Sequence, residues 1–191
     1  AEETDHQDDR QGEQNACLIP LMAKGGNQIP VETYITKGTW GGKPAIFGVS
    51  KDISALKFSE AKFAKAFQSS PAIVGLSDVN TGEYLEVNQT FYDMLGLTPE
   101  EVIGRKSTDV VRIDHNYRET IITKLKKHGF VRNEEAVIYR KNGTALNVLL
   151  SAEMIEVQNK KYNLTTVLDI SARKRTEEEL QRHREHLEEL V

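Results

Sequence analysis

From Cys17 to Ser50 the apolar positions come in short bursts separated by glycine turns. "CLIPLMA" runs into the turn "KGGN". "QIPVETYIT" then alternates, with Ile29, Val31, Thr33 and Ile35 on one face, and "WGGK" leads into "PAIFGVS". A period of two bounded by turn residues predicts a three-stranded antiparallel meander within 17–54. The spacing changes in "ALKFSEAKFAKAFQ". Leu56, Phe63, Ala66 and Phe67 fall near one stripe while Lys57, Glu60, Lys62 and Lys65 face away, which predicts a linker helix over 55–70. Asp52 or Ser54 can cap its N-terminus, and Pro71 stops it.

A longer series follows over 71–172. "AIVGLSDV" and "EYLEVN" read as strands joined by "NTG", with Gly82 at the tight turn. Asn88 caps a short helix, "QTFYDMLG", closed by Gly96. Thr98, Pro99 and Glu101 form a helix start with a capping box, and Gly104 stops that helix. "HNYRETIITKLKKHG" carries Tyr117, Ile121, Ile122 and Leu125 at helical spacing. Three strands, "RNEEAVIYR", "ALNVLLSAEMIE" and "YNLTTVLDIS", complete the series before a charged helix over 173–191. The order predicts an α+β domain, a five-stranded antiparallel sheet with helices on one face and a pocket between them.

The phrase "DISALK" at 52–57 returns as "DISARK" at 169–174. Shifting residues 24–63 by 117 positions onto 141–180 needs no gap and makes ten of the forty pairs identical, including Val31/Val148, Asp52/Asp169, Ile53/Ile170 and Ser54/Ser171. A period this long implies tandem domains, of which 17–54 holds the C-terminal strands of a truncated first copy. Such a meander leaves Ile29, Val31, Ile35 and Phe47 on an uncovered apolar face. Either the helix 55–69 or a second chain is expected to cover it.

Composition narrows the function classes. The 191 residues are 38% hydrophobic and 28% charged, with a net charge of -4, which gives no electrostatic reason to expect nucleic acid or an anionic membrane. The single cysteine, Cys17, permits no internal disulfide and suits a cytoplasmic location. No apolar run approaches the roughly 18 residues of a membrane span, so this segment is expected to make no membrane contact. Residues 1–16 hold six acids and one arginine with little that is apolar, and are expected to be a disordered lead-in.

The run "YLEVNQTFYDMLGLTPEEVIGR", the later "RNEEAVIYRKNGTALNV" and the closing "DIS" resemble a PAS sensory domain, and the resemblance extends over 60–172. Residues 17–54 are similar to the last three strands of a preceding PAS domain. "HREHLEELV" is similar to the connector between PAS domains and the kinase core of bacterial and archaeal sensor histidine kinases. The resemblance implies the PAS fold with a C-terminal signalling helix. It also implies a chain that senses or relays while catalysis lies in a downstream output domain. No phosphoacceptor motif follows His183 or His186. A glycine-rich nucleotide loop, a Ser/His/Asp set and HExxH are all missing, so the chain is not expected to be an enzyme.

The inward-pointing spacing nominates Ile73, Val87, Phe91, Tyr92, Leu95, Tyr117, Ile121, Leu125, Leu146, Val148 and Leu150 as the ligand pocket, with Asn88 as a further inward polar group. A packed core without ligand, in a structural dimerisation and spacer module, accounts for the same residues. A photoreactive flavin would require a cysteine at the start of "NQTFYDML", which is absent there. Haem is the third reading. His128 lies fourteen residues before Asn142 of the "KNG" turn, a spacing similar to the haem-ligating PAS sensors, although Glu134 stands nearby where those sensors have an arginine. The competing explanation is a histidine favoured by the helix dipole in "KLKKHG"; His115 has a weaker case. For signal relay the candidates are Asp169, Ile170, Ser171 and Arg173, with Asp169 either capping the last helix or pairing with Arg173. Leu180, Leu187 and Val191, with His183/Arg184 and Leu190, approximate a heptad seam for a homodimer.

Overall fold

The structure, a computed structural model, describes residues 15–189. The lead-in 1–16, apart from its last two residues, lies outside the described residues, as do Leu190 and Val191 of the expected seam. The chain divides into two compact units between Ala64 and Lys65.

In the first unit the expected meander is more broken than its pattern predicts. The strands are β1 (Asn15–Cys17), β2 (Leu21–Met22), β3 (Gln28–Ile29), β4 (Val31–Trp40) and β5 (Lys43–Asp52). They form a three-stranded sheet in the order β1-β4-β5 and a separate β2-β3 pair. Pro20 and Pro30 stand at the breaks, because proline has no N–H for a ladder. The β4–β5 hairpin is regular through ten residue pairs, from Val31↔Asp52 to Trp40↔Lys43. Gly41 and Gly42, with φ of 58° and 77°, supply the two positive φ angles of its turn. Helix α1 (Ser54–Gln68) follows, and Asp52 caps it by accepting the Ser54 N–H at 2.8 Å. None of the residues of α1 is buried, so the helix does not cover the Ile35 and Phe47 face as expected. Those two side chains remain exposed, and Val31 and Ile53 are the buried hydrophobics of this unit.

The second unit opens with β6 (Ile73–Asp78) and β7 (Tyr84–Val87), followed by the helices α2 (Gln89–Leu95), α3 (Pro99–Val102) and α4 (Ser107–Val110). Next come β8 (Arg112–Ile113), α5 (His115–His128), β9 (Phe130–Tyr139), β10 (Ala145–Val157), β11 (Lys160–Asp169) and α6 (Ser171–Glu189). The sheet is antiparallel throughout, in the order β7-β6-β11-β10-β9-β8. Its sixth strand, β8, is too short to leave a period in the sequence.

The caps follow the residues. Asn88 accepts from the Phe91 N–H, Gly96 closes α2 at φ 71°, Thr98 and Glu101 form the capping box of α3, and Gly129 closes α5 at φ 80°. Phe91, Leu95, Val102, Ile138 and Val148 are the most deeply buried apolar side chains, and α2 and α5 pack over the sheet around them.

The 117-residue echo is also an echo of backbone geometry. Pairs Val148↔Asp169 to Val157↔Lys160 repeat the β4–β5 register residue for residue. Gln158 and Asn159 take the positive φ of Gly41 and Gly42. Leu21↔Ile29 in the β2–β3 pair matches Ile138↔Leu146 in β9–β10. The Ile53 N–H donates to the Pro30 carbonyl at 3.0 Å, as the Ile170 N–H donates to that of Asn147 at 2.8 Å.

Candidate functional site

Between the sheet and its helices lies a cavity of about 130 Å³. Its floor follows from strand alternation: Ile73, Gly75 and Ser77 face it from β6, Asn163, Thr165 and Val167 from β11, and Leu150 and Ala152 from β10. Ile138 and Tyr84 add from β9 and β7. The roof follows helical spacing, with Arg118, Ile121, Ile122 and Leu125 on α5 and Phe91 and Leu95 on α2. Ser107, Val111 and Ile113 close one side.

Cross-strand register sorts this floor into rows. Tyr84↔Ser77 and Ser77↔Asn163 are paired, so three polar side chains run across β7, β6 and β11 at one level. The next inward row is Gly75↔Thr165 with Ala152 beyond it, all small. Ile73↔Val167, with Leu150 opposite Val167, makes an apolar row. Gly75 lets the Tyr84 ring lie against β6, since a Cβ there would come within 3.2 Å of that ring.

Burial governs the electrostatics. Loss of solvent pushes the Tyr84 phenol up to about 12, opposed by the neighbouring Arg118 charge. Arg118 is itself lowered by burial, with Tyr84 and Asp109 acting the other way. Its guanidinium donates to the carbonyls of Val111 and Ser107, tying α5 to the segment that closes the cavity. The Asn163 Nδ2 donates to Thr165 Oγ1 at 3.1 Å, while its Oδ1 is buried with no partner among the described residues. No described residue hydrogen-bonds the side-chain hydroxyls of Ser77 and Tyr84.

Of the nominated pocket residues, Ile73, Phe91, Leu95, Ile121, Leu125 and Leu150 line the cavity. Val87, Leu146 and Val148 are buried in the core without lining it, and Tyr92 packs against that core. Tyr117 instead lines an open groove of about 1280 Å³ outside, bordered by α5, β9 and α6. Its hydroxyl is buried and unpartnered among the described residues, and burial, then Glu134 and Glu135, push its pKa upward. Asn88 is structural: Oδ1 accepts from the Val74 and Phe91 N–H groups, and Nδ2 donates to the Ala72 and Phe67 carbonyls. Ser77, Tyr84, Arg118, Asn163 and Thr165 escaped a sequence reading that sought apolar walls. The alternation of "IVGLSD" and "YNLTTV" already held three of them.

At the start of α6, Asp169 Oδ1 accepts the Ser171 N–H at 2.8 Å, and Ile170 is buried. Arg173 does not pair with Asp169; its Nε donates to Glu177 Oε1 at 2.7 Å, one helical turn on. Lys174 reaches back to the sheet instead, in an ion pair with Glu135 of β9. The adjacent Glu134 pairs with Lys124 of α5 at 2.6 Å.

His128 is exposed at the end of α5 and does not line the cavity, and His115 lies 3.4 Å from Glu119 on the surface. The cavity is below the roughly 300 Å³ at which sites for drug-sized ligands begin, and is itself too small for a porphyrin. Among the described residues no cluster of His, Cys, Asp and Glu forms a metal site, and no helix is long and apolar enough to cross a membrane.

The PAS domain family profile matches residues 71–172. The methyl sulfide methyltransferase-associated sensor of Methanosarcina acetivorans is 30% identical over 139 residues, which are 72% of this chain and 14% of that protein. The chain thus spans a small part of this curated relative. The crystal structure of a PAS domain from Colwellia psychrerythraea superposes with a TM-score of 0.52 at 18% identity, covering 60% of this chain and 98% of that one. A PAS domain from a two-component sensor histidine kinase gives 0.50 at 16% identity, covering 61% and 98%. These two likenesses speak to fold alone.

Proposed function

The chain belongs to the PAS domain family, and on that premise we propose that its second unit is a sensory module that converts occupancy of the cavity into a change at α6. The observation that carries this reading is the short path from cavity to helix. Val167 lines the cavity, Ile170 is fixed to β10 three residues later, and α6 starts at Ser171. Lys174 adds a tie to β9, whose Ile138 is also in the wall. A ligand acts only by preferring one arrangement of these ties over another.

In this reading the unit works as a homodimer inside a longer cytoplasmic signalling protein, with catalysis in a downstream output domain. Leu180 and Leu187, seven residues apart and both exposed on α6, support helix pairing. The connector-like "HREHLEELV" supports a histidine kinase as that output, and the name of the Methanosarcina relative supports sensing. The shared hairpin register supports the first unit as part of a second copy of the same domain.

Filling the cavity tests the relay without knowledge of the ligand. Ala152→Leu is expected to alter amide hydrogen exchange over residues 171–175, at the base of α6. A folded variant with unchanged exchange there would leave the spacer reading in its place.

A further inference from the structure

The row structure of the floor specifies what the cavity can hold. We propose that it selects a small, neutral, amphiphilic molecule of about one aromatic ring, with its hydrogen-bonding edge on Tyr84, Ser77 and Asn163 and its apolar body toward Ile73, Val167 and Leu150. The proposal deepens the sensory reading and rests on it.

Three observations converge. Volume sets the size: at about 130 Å³ the space is close to engineered apolar cavities of about 150 Å³ that accept benzene. On the floor the polar side chains gather toward one end, because Tyr84, Ser77 and Asn163 are register partners on three successive strands and Thr165 in the next row already accepts from Asn163. All three keep unused hydrogen-bonding capacity. Ser77 is 5% exposed and Tyr84 7%, no described residue bonds their hydroxyls, and the Asn163 Oδ1 is buried without a partner. Hydroxyls serve as donor or acceptor and the amide oxygen as acceptor, so a ligand hydroxyl or N–H completes the set. A wholly apolar guest would leave these groups unpaired, at a cost the polar guest avoids.

Charge is disfavoured by the same walls. Arg118, the one charged group among the lining residues, already donates from both terminal nitrogens to the carbonyls of Ser107 and Val111, so an anion would meet its charge but would lose its water against an otherwise uncharged wall.

Phenol, benzene and benzoate serve as probes, titrated into the full chain and followed by backbone amide resonances of β6 and β11. Phenol is expected to bind about fivefold to tenfold more tightly than benzene, the gain of one net hydrogen bond. Tyr84→Phe and Ser77→Ala should each erode that preference. Tyr84→Phe removes a single oxygen and so decides the matter if Ser77→Ala does not fold. Equal binding of phenol and benzene, or benzoate matching phenol, would overturn the selectivity while leaving an occupied sensory cavity intact. If none of the probes moves the β6 and β11 resonances, both the selectivity and the small-ligand reading are wrong.

Discussion

Ser171, the first residue of α6, forms a reciprocal pair of hydrogen bonds with the backbone of Asn147 on β10: its Oγ accepts the Asn147 N–H at 3.0 Å and donates to the Asn147 carbonyl at 3.4 Å. The corresponding residue in the first unit is Pro30, which has no N–H, so that half of the clasp cannot form there. Ser171→Ala is expected to cost about 1 kcal/mol of global stability. Its larger effect should be local, as faster amide exchange in the first turn of α6 with the core of the sheet unchanged. An equal speeding of exchange throughout the sheet would deny Ser171 its role as a joint.

Tyr84 makes stability depend on alkaline pH. Below about pH 10 folded and unfolded chains both hold the phenol proton and the group adds no pH dependence. Between about 10 and 12 the unfolded chain releases it while the fold, with its phenol pushed up to about 12, retains it. Stability therefore falls as pH rises, by about 3 kcal/mol across that window. Ultraviolet titration of the tyrosines should show its latest-ionising component diminished in Tyr84→Phe.

Asn88 is fully buried and makes four hydrogen bonds that tie α2 to the entry of β6. Asn88→Ala is expected to lose on the order of 3 kcal/mol, since a cap is removed and buried backbone groups are left unpaired. Asn88→Asp should be unstable at neutral pH and recover as pH falls, because burial raises the pKa of the new carboxyl and protonation restores one donor. Urea unfolding at two pH values measures both.

On α6, replacing Leu187 with Arg should shift the oligomeric state toward monomer in sedimentation velocity, with the folded content retained. Leu187 is 63% exposed in the single chain, so the monomer itself loses little by the change.

His128 gives a prediction of the opposite kind. Haemin added to the protein is expected to give the same visible spectrum with His128→Ala as with the original residue. A Soret band lost on that substitution would place iron at the end of α5 after all.

The sheet and its helices were legible because their signals are local. Asn88, Gly96, Thr98, Pro99 and Gly129 mark the ends of α2, α3 and α5 through their own backbone and side-chain chemistry, and the 117-residue echo foretold a common hairpin. The site was legible by half. Apolar periodicity identified Ile73, Phe91 and Ile121, but the same periodicity holds for Val87 and Val148, which fill the core. What separates wall from core is the register between strands, which places Gly75 and Ala152 around Thr165 and is not written in any one strand. The choice of Lys174 over Arg173 as the tie to the sheet was hidden for a similar reason. It depends on where a helix turn points, and neighbouring cations on a helix look alike in sequence.

The repeated hairpin gives the chain one strand-to-helix exit built twice, with different ties. Ser54 and Ser171 leave their strands by the same local path, and the second is held by a proton donor the first lacks. The residue at position 30 or 147 thus decides whether a backbone N–H is on hand to hold the serine that opens the helix.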